Sequence, residues 1–215
     1  KEIFRQAGFK VPQDIVLRRE LHQDAEEAAY QVFRRLSPPW IIKPSASGSS
    51  VGLYLARNYQ ELVSSLEKVF RLTDDVLVEE YIKGREATCG VVDNFRNQDC
   101  HALLPIEIVT AENKQLFDYE AKYSGVTKEI CPGRFSQEEK REIERLATEI
   151  HKVLGLRHYS RSDFVVSPKG VYVLEVNTLP GLTEESLIPK ALKAGGVEYS
   201  QFLDHVITLA LTNFK

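Results

Sequence analysis

Arg161-Ser162-Asp163-Phe164-Val165-Val166, Ser167-Pro168-Lys169-Gly170, then Val171-Tyr172-Val173-Leu174-Glu175-Val176-Asn177 is the stretch whose reading decides the fold. Residues 160–166 and 171–176 read as two strands, and the Pro/Gly-containing segment between them reads as the turn of a hairpin. Side chains two apart on a strand share a face. Arg161 therefore projects with Asp163, and Glu175 with Asn177. Pairing the strands gathers two carboxylates, an amide oxygen and a guanidinium on one surface. Oxygen ligands of this kind suit Mg2+, which keeps several waters and shares phosphate oxygens. The plainer alternative is an Arg161–Asp163 ion pair beside a solvated Glu175. Asn177-Thr178-Leu179-Pro180-Gly181 follows as a shaped turn whose N–H groups can face an oxyanion.

Upstream, Trp40-Ile41-Ile42-Lys43 is a short apolar run typical of a buried strand. It leads into Pro44-Ser45-Ala46-Ser47-Gly48-Ser49-Ser50, after which Val51–Leu55 resumes as a strand. Small residues let backbone N–H groups approach an anion, and Lys43 can neutralise phosphate charge. The stretch is no Walker A loop, and a flexible turn is the alternative. Residues 76–82 form another strand. There Glu79, Tyr81 and Ile82, followed by Glu86, can hold a flat base and a ribose, against an edge strand with solvated acids. Residues 86–93 and 101–109 read as antiparallel neighbours. Residues 110–130 read as a long loop carrying Phe117–Tyr123, which can serve as a lid or simply be an exposed polar loop.

Three helices have local signals. Asn58 with Glu61 has capping-box spacing before Leu62, Leu66, Val69 and Phe70. Ser136 with Glu139 opens a helix whose Ile143, Leu146, Ala147, Ile150, Val153 and Leu154 follow the helical period, with Gly155 at its end. Residues 22–36 read as a helix stopped by Pro38-Pro39. Residues 1–8 read as a helix end at Gly8, a strand surrounds Ile15–Leu17, and residues 186–213 form a final helical section. Helices mixed with antiparallel hairpins indicate an α+β fold.

Of the 215 residues, 43% are hydrophobic and 27% charged, and the net charge is −3. That balance argues for a globular domain and against a nucleic-acid binder, which carries a basic surplus. No apolar run reaches the roughly 20 residues that span a bilayer, and no signal peptide is expected. Cys89, Cys100 and Cys131 form no CxxC pair, and the five histidines have no metal-binding spacing. They are expected to be buried or half-buried thiols rather than a disulfide framework or a zinc site.

Taken in order, Lys43-Pro44 through Gly52, Asp118-Tyr119-Glu120-Ala121-Lys122-Tyr123, Arg161-Ser162-Asp163 and Glu175-Val176-Asn177-Thr178-Leu179-Pro180-Gly181-Leu182-Thr183 resemble the D-alanine–D-alanine ligases. The resemblance covers essentially the whole chain. It implies an ATP-grasp fold of two lobes, approximately 1–85 and 86–215, each with an antiparallel or mixed sheet and helices, and a nucleotide cleft between them. It further implies that the family's N-terminal domain is missing from this sequence.

By the same resemblance, Lys43 and Lys122 bind ATP phosphates, and the loop from Ser47 to Ser50 covers them. Ser49 orients substrate with Tyr123. Glu79, Tyr81, Ile82 and Glu86 hold adenine and ribose. Asp163, Glu175 and Asn177 bind two Mg2+ ions, with Mn2+ as a substitute. Arg161 and the Gly181 amide stabilise the tetrahedral intermediate, and Ser186 and Leu187 meet the second D-alanine. Glu185 stands where many relatives have histidine. The implied setting is a cytoplasmic homodimer making D-Ala-D-Ala for peptidoglycan, with ATP and D-alanine as partners and neither nucleic acid nor membrane. Alternatives are an isolated Mg-ATP-binding domain without turnover, and a D-Ala–D-Ser or D-Ala–D-lactate ligase.

Overall fold

The structure, a computed structural model, describes residues 1–22, 24–46, 51–109 and 127–212. It falls into two compact units. One is built on residues 12–82. The other takes residues 1–11, which carry α1 (Glu2–Gln6), with 83–109 and 129 onward. Residues 1–11, expected in the smaller lobe, belong to the second unit because Phe4 enters its core beside Phe164 and Val173.

The first unit is a four-stranded sheet under two helices. In chain order it comprises β1 (Asp14–Arg18), a short 3-10 turn, α2 (Ala25–Phe33), β2 (Trp40–Pro44), β3 (Tyr54–Ala56), α3 (Tyr59–Phe70) and β4 (Asp75–Glu80). The sheet order is β1-β4-β2-β3, with antiparallel pairing throughout. Asp24 caps α2 by accepting the Glu27 N–H, which places the helix start later than residue 22. Asn58 caps α3 through the Glu61 N–H at 2.9 Å. Leu62, Leu66 and Val69 then meet Trp40, Ile42, Val76 and Val78 in one core. Alternation along β2 and β4 assigns these residues to the helix-covered face and Ile41, Lys43, Leu77 and Glu79 to the other. β3 starts later than expected, because residues 51 and 52 form a turn with Gly52 at φ +74.

The second unit holds β5 (Arg85–Phe95), β6 (Gln98–Ala102), β7 (Ile106–Val109), β8 (Lys128–Ile130), α4 (Gln137–Val153), β9 (Tyr159–Ser167), β10 (Gly170–Asn177), α5 (Leu187–Ala194) and α6 (Tyr199–Thr212). The sheet order is β10-β9-β5-β7-β8, and β6 also pairs with β5. β5 is buried on both faces. Ala87, Cys89 and Val91 pack with Ile143, Leu146, Ala147 and Ile150 of α4, while Val92 packs with Ile188, Leu192 and Phe202 from α5 and α6. Burying each Ile or Leu of α4 contributes about 2 kcal/mol. The capping box at Ser136 and Glu139 is complete, with both hydrogen bonds present, and Gly155 follows the helix at φ +61.

Three expectations change here. The strand expected over 101–109 is two, β6 and β7, because Pro105 has no N–H to continue a ladder. The final helical section breaks at Gly195-Gly196, with Gly196 at φ +72. The expected loop ends earlier, because β8 takes residues 128–130, while 110–126 lie outside the described residues. Glu107 on β7 is buried and accepts two side-chain hydrogen bonds from Arg134, at 2.9 and 3.2 Å, and one from the Arg134 backbone N–H.

Candidate active-site residues

The β9–β10 hairpin carries the decisive geometry. From Gly170 to Val173 the strands pair regularly, and Val171 and Val173 face the α4 core with Phe164 and Val166. Strict alternation would then turn Glu175 and Asn177 into that same core. It does not, because the register shifts between Val173 and Glu175. Val173 opposes Phe164, yet Glu175 opposes Asp163, so Leu174 is one extra residue: a β-bulge. The bulge rotates Glu175 and Asn177 to the face of Asp163 and Arg161, with Asn177 opposite Arg161. All four groups thus share one face of the hairpin, and Glu175 is exposed.

Asp163 is held from two sides. Arg161 forks onto it, Nε to Oδ1 and Nη2 to Oδ2, both at 3.1 Å. Thr88, its partner on β5, donates to Oδ1 at 2.5 Å. Both acceptor sites of Oδ1 are then used, and one of Oδ2 is left. Asn177 Oδ1 accepts the Leu179 N–H at 3.3 Å and keeps its second lone pair. Two carboxylates and an amide oxygen on one face fit a hard divalent cation. The ion pair expected as the plainer alternative is present as well, and it uses only part of the donor set.

The turn that follows places Gly181 against Ser186. A Cβ at Gly181 would lie 3.0 Å from Ser186 Oγ. Ser186 is the N-terminal cap residue of α5, but its hydroxyl pairs with Thr183 Oγ1 at 2.8 Å and does not cap the helix. Leu187 opens α5, with its side chain against the Ile188–Leu192–Phe202 cluster.

In the first unit, Lys43 Nζ lies 3.0 Å from Glu79 Oε2, on the sheet face opposite α2 and α3, with Glu79 almost fully buried. Glu79, grouped by the resemblance with the adenine and ribose residues, lies beside the phosphate-binding candidate Lys43. The Tyr81 N–H donates to the Pro39 carbonyl at 3.0 Å. Ile82 is half-buried at the end of this unit, and Glu86 stands on β5 of the second unit opposite Val165. Ser47, Ser49, Lys122 and Tyr123 lie outside the described residues.

A family model described as D-ala D-ala ligase C-terminus matches residues 3–208. The chain belongs to that family. It is 41% identical to the D-alanine–D-alanine ligase of Maridesulfovibrio salexigens over 176 residues, 81% of this chain and 56% of that protein. The crystal structure of the VanG D-Ala:D-Ser ligase from Enterococcus faecalis superposes with a TM-score of 0.80 at 30% identity, over 97% of this chain and 59% of that one. The D-alanine–D-alanine ligase from Bacillus anthracis complexed with ATP gives a TM-score of 0.77 at 33% identity, over 98% and 64%. The chain thus spans less than two thirds of each of these relatives. The D-alanine–D-alanine ligase fold, ATP-grasp, is the fold of this chain.

Two features of this ligase-family domain escape a sequence reading. Thr88 looks like an ordinary strand residue and becomes visible only through its register with Asp163. The bulge has no glycine to announce it, since the extra residue is leucine.

Proposed function

We propose that this chain supplies the Mg-ATP-binding and phosphoryl-transfer part of an ATP-dependent D-alanine–D-alanine ligase. What carries the reading is the bulged hairpin that turns Glu175 and Asn177 beside Asp163 and Arg161, in a chain of that family. Asp163, Glu175 and Asn177 would hold Mg2+, two ions in all. When bound, the metal offsets charge on the phosphate oxygens.

In the proposed reaction the γ-phosphoryl group of ATP passes to the carboxylate of one D-alanine. The amine of a second D-alanine attacks that acyl phosphate, and phosphate leaves. Lys43, positioned by Glu79, and Lys122 neutralise phosphate charge. Arg161 uses two of its five N–H donors on Asp163 and keeps three for the developing oxyanion, with the Gly181 N–H as a further donor. Because the Ser186 hydroxyl leaves the α5 N-terminus uncapped, first-turn N–H groups remain for the carboxylate of the second D-alanine. Glu79, Tyr81, Ile82 and Glu86 line the nucleoside, Tyr81 through its ring, since its N–H is engaged. The loop from Ser47 to Ser50 serves the ATP phosphates, and Ser49 orients substrate with Tyr123. In the whole enzyme this activity belongs to a cytoplasmic homodimer making peptidoglycan precursor.

The VanG similarity supports one alternative, a D-serine acceptor. Calorimetric titration with ATP, with and without Mg2+, tests the core reading, and phosphate release with D-alanine or D-serine separates the acceptors. Mg2+-dependent ATP binding is expected. No ATP binding by a sample with an intact thermal transition overturns it.

A further inference from the structure

We propose that Asp93, Cys100 and His151 form a binding site for one divalent transition-metal ion of the zinc class, separate from the Asp163–Glu175 face. Asp93 and Cys100 are direct cross-strand partners on β5 and β6, so their side chains stand side by side. His151 arrives from the last turn of α4, which packs on both strands. Cys100 Sγ is 3.4 Å from Asp93 Oδ1, and His151 Nε2 is 3.1 Å from the same oxygen. The three ligand atoms all lie within 4.8 Å of one another.

Tetrahedral zinc with bonds of about 2.0 Å to N and O and about 2.3 Å to S places neighbouring ligand atoms about 3.3 Å apart for N and O, and about 3.5 Å apart for S and O. Both measured edges match. The thiolate and imidazole select zinc, cobalt or nickel over magnesium. Asp93 sits five residues along β5 from Thr88, about 17 Å at strand rise.

The imidazole is held in place from its other side. His151 is only 1% exposed, and its Nε2 faces Asp93 Oδ1 at 3.1 Å. Its other nitrogen, Nδ1, lies 2.7 Å from Ser160 Oγ. With the Nδ1 proton donated to Ser160, the Nε2 lone pair aims at sulfur and carboxylate, the orientation that metal-bound histidines take from such partners. Asp93 is equally fixed. Its Oδ2 accepts the His158 N–H at 2.6 Å, and its backbone N–H donates to the His158 carbonyl at 2.9 Å. Oδ1 is left to face Cys100 and His151.

A cation at the C-terminal end of a 17-residue helix meets the negative end of the helix dipole. It would replace the hydrogen bond that the Cys100 thiol donates to Asp93 Oδ1, and the thiol proton leaves to solvent. Cys100 lines an open groove of about 510 Å3, from which water can fill the fourth coordination position.

The test is a Co2+ titration of the 215-residue chain in a phosphine reductant, following the thiolate-to-cobalt absorption in the near ultraviolet. We expect one cobalt per chain, displaced by Zn2+. The band should vanish in Cys100→Ser and persist in Cys131→Ser. In Ser160→Ala the affinity should fall about tenfold to a hundredfold. In the unmodified chain, Zn2+ should also protect Cys100 from alkylation, mapped by mass spectrometry, which needs no variant to fold. Absence of the band, an undiminished band in Cys100→Ser, or unchanged Cys100 alkylation with Zn2+ would overturn the site.

Discussion

Replacing Lys43 by methionine keeps most of the side chain's apolar stem and removes its charge. It leaves the Glu79 carboxylate, with only 4% of its side chain exposed, without the ammonium 3.0 Å away. Stripping one partner from a buried ion pair costs about 3–5 kcal/mol. Lys43 is 18% exposed, so water can reach its end of the pair, and we take the low end, about 3 kcal/mol. Glu79→Gln alone leaves a lysine that can turn to water and should cost about 1 kcal/mol. The double variant removes both charges of the pair together and should cost about 2 kcal/mol, roughly 2 kcal/mol less than the sum. Trp40 is the sole tryptophan and lies fully buried in the core of the same unit, so its fluorescence reports on that unit's unfolding. With a urea slope of about 1.5 kcal/mol per molar, Lys43→Met should lower the Trp40 midpoint by about 2 M. Additive single effects, or a Lys43→Met midpoint equal to the parent's, would refute the idea that Glu79 and Lys43 are coupled.

Two further effects follow from the second unit. A Cβ at Gly84 would sit 2.4 Å from the Val166 carbonyl oxygen, a backbone atom that cannot rotate away, so Gly84→Ala should cost about 1–3 kcal/mol in chemical denaturation followed by circular dichroism. The hydrogen bonds from Arg134 hold the Glu107 carboxyl below the usual carboxylate range against the opposing effect of burial. A carboxyl depressed in the folded state stabilises in full above its unfolded value, about 4.3, and that stability is lost as pH falls through the folded value. The melting-temperature advantage over Glu107→Gln should therefore be full at pH 6 and shrink below pH 4. An advantage that stays constant across that range would show that the pair is not linked to proton uptake.

What was legible in the sequence was local. Ser136 with Glu139, and Asn58 with Glu61, announce helix starts because the capping contacts lie three residues apart. The β9–β10 hairpin was legible because Ser167-Pro168-Lys169-Gly170 interrupts two apolar runs. What was not legible depends on counting across the sheet. One added residue, Leu174, decides whether Glu175 faces the core or Asp163, and leucine carries no mark of a bulge. Lys43 and Glu79 meet across the β2–β4 pair, and nothing near either residue announces the other. Cys100 and His151 are 51 residues apart in sequence, so a search for short metal-binding spacings passes over them.

The central claim is that the bulged hairpin presents Asp163, Glu175 and Asn177 to the metal of Mg-ATP. The most direct measurement is a pair of ATP titrations, with and without Mg2+, of the chain and of Glu175→Gln. Glu175 is exposed, so the thermal transition should stay unchanged. The account predicts at least about a tenfold loss of affinity with Mg2+, equivalent to about 1.4 kcal/mol, and little change without it. Equal Mg-ATP affinity in the two proteins would contradict it.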